Sequence, residues 1–233
     1  LASKKKFELA ILDDGLQQKN IDYGLKSLKT GYINWGPYVM KSQMEDSIVK
    51  KLLKEGKKAK TSYNTHLAGH LNYQFLYPKV IQQWFYQALN PYVQAYRKGH
   101  CRFHGIEEHN LELEADDLWV NFMKPGDFNP VHTHGGDYSF VLFLDVPKKL
   151  EKEQRDFKGT SVPPGSIMFE YGVQAKPKWA TTGNMFIPQT GDFLMYPALL
   201  EHWVCPFKSK ITRVSVSGNM RITNRDQLPK GYF

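Results

Sequence analysis

From Leu111 onward the chain is a series of short apolar runs cut repeatedly by Pro, Gly and Asn, and this texture constrains the fold most. The segments 117–127, 138–147, 166–172, 191–197, 202–207 and 212–222 each carry the residues of a β-strand bounded by turn signals. Six such segments in close succession predict a β-sandwich or barrel. The first hundred residues read differently. In 43–56, Ile48, Leu52 and Leu53 share one face opposite charged residues and a glycine follows, which predicts an amphipathic helix with a stop signal. In 77–99, Val80, Ile81, Trp84, Phe85 and Leu89 recur at helical spacing as a core-facing stripe, and Pro91 is expected to mark a kink or a new first turn. The expected class is therefore mainly β with α, residues 1–110 forming a helix-rich part packed on a β core of residues 111–233, within one structural domain overall.

Composition narrows the function classes. With 233 residues, 41% hydrophobic and 14% aromatic, the chain has the apolar surface that a disordered protein lacks. No apolar run reaches the roughly 18 residues of a spanning helix, and Asp13 and Asp14 interrupt the N-terminal apolar stretch. A soluble, cytoplasmic protein with no membrane partner is expected. Cys101 and Cys205 lie far apart without a CxxC spacing and read as packing residues in a reducing compartment. The net charge of +8 and pI near 9.2 arise from dispersed lysine clusters at 3–7, 50–60 and 146–158, which read as solvated faces with at most a weak attraction for anions or nucleic acid.

Against this background the stretch HTHGGD at 132–137 stands apart. In an extended segment His132 and His134 point the same way, so their imidazoles converge. Asp137 follows two glycines that allow the backbone to bring its carboxylate back to the same point. Two histidines and one carboxylate with open positions form the ligand set of a non-haem Fe(II) centre. A further imidazole, His202, follows a strand ending in Tyr196-Pro197. On the strand at 212–222, Arg213, Ser215, Ser217 and Asn219 share one face while Val214, Val216 and Met220 share the other. The polar face either meets water or lines a ligand cavity in which an arginine holds a carboxylate through paired hydrogen bonds, and periodicity leaves both open. His66, His70, His100, His104 and His109 read as structural or surface residues; the i, i+4 pair His66 and His70 lacks the intervening glutamate of a zinc protease.

Taken together, "HTHGGDYSFVLFLDVP", "GDFLMYPALLEHWVCPF" and "RVSVSGN" resemble the 2-oxoglutarate- and Fe(II)-dependent oxygenases, in particular the prolyl-hydroxylase-like group of bacteria and phages, over roughly residues 117–222. The resemblance implies a double-stranded β-helix (jelly-roll, cupin-like) core with a helical N-terminal extension, for which "HLAGHLNYQFLYP" at 66–78 looks like the helical lead-in. It implies that His132 and His202 bind iron, that Arg213 pairs with the distal carboxylate of 2-oxoglutarate, that Ser215 adds a hydroxyl hydrogen bond and that Asn219 lines the pocket. The family's HxD aspartate position is His134 here. Either Asp137 completes the triad after a loop through Gly135 and Gly136, or His134 does so in a three-histidine variant; a carboxylate balances the ferrous charge better and favours Asp137.

The implied cofactors are Fe(II), 2-oxoglutarate as cosubstrate and O2, with ascorbate as reductant. The implied activity couples oxidative decarboxylation of 2-oxoglutarate to C–H oxidation of a peptide side chain or small molecule. A non-catalytic cupin-like binding barrel and a nucleic-acid demethylase are the alternatives. Trp119, Tyr138, Phe140, Phe143, Tyr196 and Trp203 are candidates for the apolar walls, and the long polar segments 148–165 and 172–191 are candidate lids.

Overall fold

A computed structural model describes residues 36–172 and 183–228, which belong to one compact unit. The lysine cluster at 3–7, Asp13 and Asp14, and residues 173–182 of the second candidate lid lie outside the described residues. The chain opens with β1 (Met40–Gln43), α1 (Asp46–Gly56), β2 (Thr61–Ser62), a 3-10 turn at Asn64–His66, β3 (Gln74–Leu76) and the long α2 (Lys79–His104). It continues through β4 (Leu113–Met123), β5 (Asn129–His132), β6 (Tyr138–Asp145), α3 (Lys148–Asp156), β7 (Ile167–Glu170) and β8 (Gly183–Phe186). β9 (Asp192–Pro197), β10 (Glu201–Val204), β11 (Arg213–Ile222) and a second 3-10 turn at Arg225–Gln227 complete it.

Two antiparallel sheets result, one in the order β1-β9-β6-β11-β4-β3-β2 and one in the order β5-β10-β7-β8. From β4 to β11 the chain passes back and forth between them, which is the winding of a double-stranded β-helix. Alternation along each strand then makes two interiors. On the outer face of the large sheet, Leu118, Val120, Phe140, Leu142, Val214 and Val216 pack against Phe85, Leu89, Val93 and Tyr96 of α2. On its inner face, Met123, Val141, Phe143, Leu194 and Tyr196 meet Ile167, Phe169 and Val204 of the small sheet. β6 is buried on both faces, which explains its apolar run over 140–144.

The helix-rich N-terminal part differs from expectation in three places. It supplies β1, β2 and β3 to the large sheet as well as two helices. Residues 66–78 form no helix, because Gln74, Phe75 and Leu76 pair with Asn121, Val120 and Trp119 of β4 and the sheet edge takes their backbone. Pro91 lies inside α2 and does not end it. A proline in a helix interior costs about 3 kcal/mol, whereas each large apolar side chain buried contributes about 1.5–3 kcal/mol. Phe85, Leu89, Val93 and Tyr96 together outweigh the proline, which sits on the exposed side. The helix stops at Gly105, whose φ of 66° suits a left-handed cap. The candidate lid at 148–165 holds α3, packed by buried Leu150 and tied down where Glu153 accepts the backbone N–H groups of Lys208 and Ser209.

Two outcomes follow. Phe85→Ala should cost about 3–5 kcal/mol in urea unfolding, and a loss below about 1 kcal/mol would show that this ring does not hold α2 to the sheet. Burial pushes the imidazole of His100 down to about 4, below its ordinary 6.5. The unfolded chain therefore binds the proton more readily, and this contribution to stability is lost as pH falls from about 6.5 toward 4. His100→Gln should show a shallower fall in melting temperature than the unsubstituted protein between pH 7 and pH 5; an equal slope would contradict the assignment.

Candidate metal centre

β5 and β10 are neighbours in the small sheet, and their register sets His132 directly opposite His202. His202 in turn lies opposite Phe169 of β7, whose ring belongs to the inner core, so the imidazole faces the space between the sheets. His134 follows two residues after His132, its backbone N–H donating to the carbonyl of Ala198 at 2.8 Å. The three rings lie close together, with centroids 4.3 Å apart for His132 and His202, 4.9 Å for His134 and His202, and 5.0 Å for His132 and His134. One ring nitrogen from each lies within 4.8 Å of the others.

The tautomers suit a metal. His132 Nδ1 sits 2.8 Å from the Pro130 carbonyl and His202 Nδ1 sits 2.9 Å from the Leu200 carbonyl. A carbonyl oxygen only accepts, so both Nδ1 atoms carry hydrogen and both Nε2 atoms present lone pairs. His134 Nε2 lies 3.2 Å from His202 Nε2. Two imidazoles bound at about 2.1 Å and a right angle to one ion have their nitrogens about 3 Å apart, so the spacing fits a shared ion. Burial holds all three rings neutral, pushing His134 down to about 3 and His202 to about 4 and lowering His132, and neutral imidazole is the ligating form. The buried phenol of Tyr196, 3.3 Å from His202 Nε2, is pushed up by desolvation and stays protonated.

Asp137 goes elsewhere. Gly136 adopts a φ of 86°, and a Cβ there would meet the carbonyl of Met220 at 2.7 Å, so glycine lets the chain run hard against the end of β11. The Asp137 backbone N–H donates to Met220 O at 2.8 Å, its Oδ2 accepts from the Ile222 N–H at 2.7 Å, and its Oδ1 pairs with the Arg225 guanidinium. The glycines thus carry the carboxylate toward β11, where Ile222 and Arg225 hold it. His134 occupies the place beside His132 and His202.

The imidazoles share a cavity of about 290 Å³ with Arg213, Ser215, Ser217 and Asn219, so the polar face of β11 lines a cavity and not the solvent. Arg213 is 3% exposed. Its Nη1 donates to the Gly165 carbonyl at 2.7 Å, its guanidinium lies 5.3 Å from the Phe143 ring centroid, and its Nε has no hydrogen-bond partner. Among the described residues no carboxylate pairs with it. Burial pushes it down to about 10, which leaves it cationic at neutral pH. A buried cation without a counter-ion is costly, and an anion in this cavity would offset that cost.

Of the expected walls, Trp119, Phe143 and Tyr196 line the cavity. Tyr138 and Phe140 belong to the α2 side of β6, and Trp203 alternates away from His202 and donates to Glu170 at 3.4 Å. Sequence reasoning missed Gln74 and Asn121, which line the same cavity. Gln74 Nε2 donates to Asn121 Oδ1 at 2.8 Å, and Asn121 Nδ2 reaches Ser215 and Ser217 at 3.5 Å each. The available signal was Asn121, a polar residue between Trp119 and Met123 on one face of the apolar end of β4. His66, read as structural or surface, stacks on Tyr63 at 4.8 Å on the rim. His70 stacks on Phe128, and His100 and His104 lie on α2.

Residues 117–219 match the family described as "Putative 2OG-Fe(II) oxygenase". Among solved structures, the viral collagen prolyl hydroxylase of Paramecium bursaria Chlorella virus-1, in complex with 2-oxoglutarate, is 14% identical with a TM-score of 0.50, covering 79% of this chain and 96% of that one. HygX from Streptomyces hygroscopicus, bound to nickel, 2-oxoglutarate and hygromycin B, is 12% identical with a TM-score of 0.52 over 82% of this chain and 84% of that one. The α-ketoglutarate-dependent epimerase SnoN from nogalamycin biosynthesis is 14% identical with a TM-score of 0.50, covering 78% of each chain. At these identities the likeness establishes the fold. A comparison with curated protein sequences gives no match. Among the described residues no helix is long and apolar enough to cross a membrane. Residues 117–219 thus match a 2-oxoglutarate- and Fe(II)-dependent oxygenase family, and the chain shares the double-stranded β-helix fold of these enzymes.

Proposed function

We propose that the protein is a hydroxylase whose iron is held by His132, His134 and His202 and whose 2-oxoglutarate is held by Arg213. The observation that carries this reading is the pairing, in one cavity, of three neutral imidazoles with a buried guanidinium that has no carboxylate of its own. Iron and 2-oxoglutarate, when bound, supply with O2 the oxidation of a substrate C–H bond, releasing succinate and carbon dioxide.

The protein's own residues do the rest. The Pro130 and Leu200 carbonyls fix the ring orientation of His132 and His202. Arg213 offers its remaining donors to the distal carboxylate, and Ser215, held by Asn121, offers a hydroxyl beside it. Asn219 lines the pocket, its Oδ1 accepting from Ser139 at 2.8 Å. Trp119, Phe143 and Tyr196 keep water from the reacting atoms. With three neutral ligands the metal keeps its full charge, which strengthens its attraction for an anionic cosubstrate.

The substrate is a peptide side chain or a small molecule, as the collagen prolyl hydroxylase and the hygromycin-bound HygX suggest by their fold. The cavity of about 290 Å³ takes the cosubstrate and one reacting group, leaving a larger substrate to rest on the rim at Tyr63, His66 and Trp119. Beside that rim a second cavity of about 410 Å³ is lined by Asp116, Asp117, Lys79 and Arg221. Its charges are mutually paired, Arg221 with Asp116 at 2.7 Å and Lys79 with Asp117 at 3.0 Å. A nucleic-acid backbone calls for a basic face, and this rim does not offer one.

Anaerobic addition of Fe(II) and 2-oxoglutarate should produce a weak visible charge-transfer band, and succinate should appear in air with a matching peptide or small molecule. His134→Ala and His202→Ala should each lose the band; a band retained in His134→Ala would contradict the three-imidazole assignment. Arg213→Ala should retain iron but raise the KM for 2-oxoglutarate at least about 30-fold, since loss of a buried charge partner costs about 2 kcal/mol or more. An unchanged KM would show that the cosubstrate anion binds elsewhere.

A further inference from the structure

We infer that Asp137 is a positioning residue that pins the loop carrying His134; this rests on the reading of His134 as a ligand. Between His134 and the start of β6 the chain contains Gly135, Gly136 and Asp137. The glycines bring no side chains, and a Cβ at Gly135 would have nothing within 4 Å. On its C-terminal side the placement of His134 therefore depends on what holds Asp137, while β5 and the Ala198 carbonyl hold the other side. Both of its carboxylate oxygens are engaged, one by the Ile222 N–H at 2.7 Å and the other by Arg225, and the side chain is 10% exposed.

The backbone extends this pin to the other imidazoles. Asp137 donates to Met220 O at 2.8 Å and accepts from the Ala198 N–H at 2.9 Å, and Ala198 O accepts from the His134 N–H at 2.8 Å. The same turn continues to Leu200, whose N–H donates to Pro197 O at 3.0 Å and whose carbonyl receives His202 Nδ1. Asp137 thus ties His134, the turn that orients His202 and the end of β11 into one unit. Arg225, its partner, is set by Asn224, which accepts from the Glu112 N–H at 2.9 Å and donates to the Asn110 carbonyl at 2.8 Å. The order of the metal centre is thereby linked to the turn at Arg225–Gln227.

The test is anaerobic Co(II) titration of the full chain, followed by the visible ligand-field bands and by melting temperature. Outer partners of metal ligands typically govern about 10–100-fold in affinity. Asp137→Ala should weaken Co(II) binding by about that factor and alter the bands, and Asp137→Asn, which keeps an acceptor for the Ile222 N–H, should recover part of the loss. Arg225→Gln, which removes one of the two carboxylate contacts, should weaken Co(II) binding less than Asp137→Ala does. A lower melting temperature with unchanged Co(II) affinity and bands in both Asp137 variants would reduce Asp137 to a fold residue and overturn the inference. Should Asp137→Ala not fold, Asp137→Asn decides alone. Retention of the wild-type bands in His134→Ala with their loss in Asp137→Asn would make the carboxylate the ligand and overturn it as well. Failure of the unsubstituted protein to bind Co(II) would instead defeat the metal reading on which it rests.

Discussion

The pairing of β5 with β10 is the constraint from which the site follows. Antiparallel register places His132 opposite His202, and a slip of one residue would turn both rings to the outer face of the small sheet, beside Trp203. The register is irregular between His202 and Val204, with Val204 opposite Asn129. Pro130 lies within this irregularity, where β5 has two residues, Pro130 and Val131, against Trp203 alone. It has no N–H to give to a ladder, so it is well suited to a bulge, and its carbonyl is turned to the ring of His132.

The large sheet solves a second problem by alternation. The same strand that buries Val214, Val216 and Met220 under the helices presents Arg213 and Ser215 to the cavity. Helix α2 covers the apolar face with aromatic residues, and that burial stabilises a sheet whose inner wall contains a guanidinium, two serines and three amides. A buried cation without a carboxylate is unfavourable for the empty fold. An anion bound beside it would offset that cost, so on the proposed reading the least stable feature of the cavity is the one that selects its ligand.

Much of this was legible from residue order alone. Period-two alternation sorted β11 into its polar and apolar faces, because a strand leaves its side chains no other choice, whereas His134 lies beyond the end of β5 in a turn held by Ala198. The strands at 138–145 and 192–197 were readable from length and bounding turns. What stayed hidden depended on partners far along the chain. Whether Asp137 turns toward the imidazoles is decided by the positive φ of Gly136 and by Ile222 and Arg225, none of which the HTHGGD stretch specifies. β2 has only two residues and β3 three, too few to show a period; β3 forms on the edge that β4 offers, and β2 on the edge of β3. Pro91 starts no new helix, because α2 runs through it over the sheet beneath.

The most direct test of the three-imidazole centre is a crystal structure of the protein loaded anaerobically with Co(II) and 2-oxoglutarate, with the metal located by its anomalous signal. The account predicts one ion bonded to His132, His134 and His202, the distal carboxylate of the cosubstrate on Arg213, and Asp137 still receiving the Ile222 N–H. An ion bonded to the carboxylate of Asp137, with His134 turned away, would contradict it.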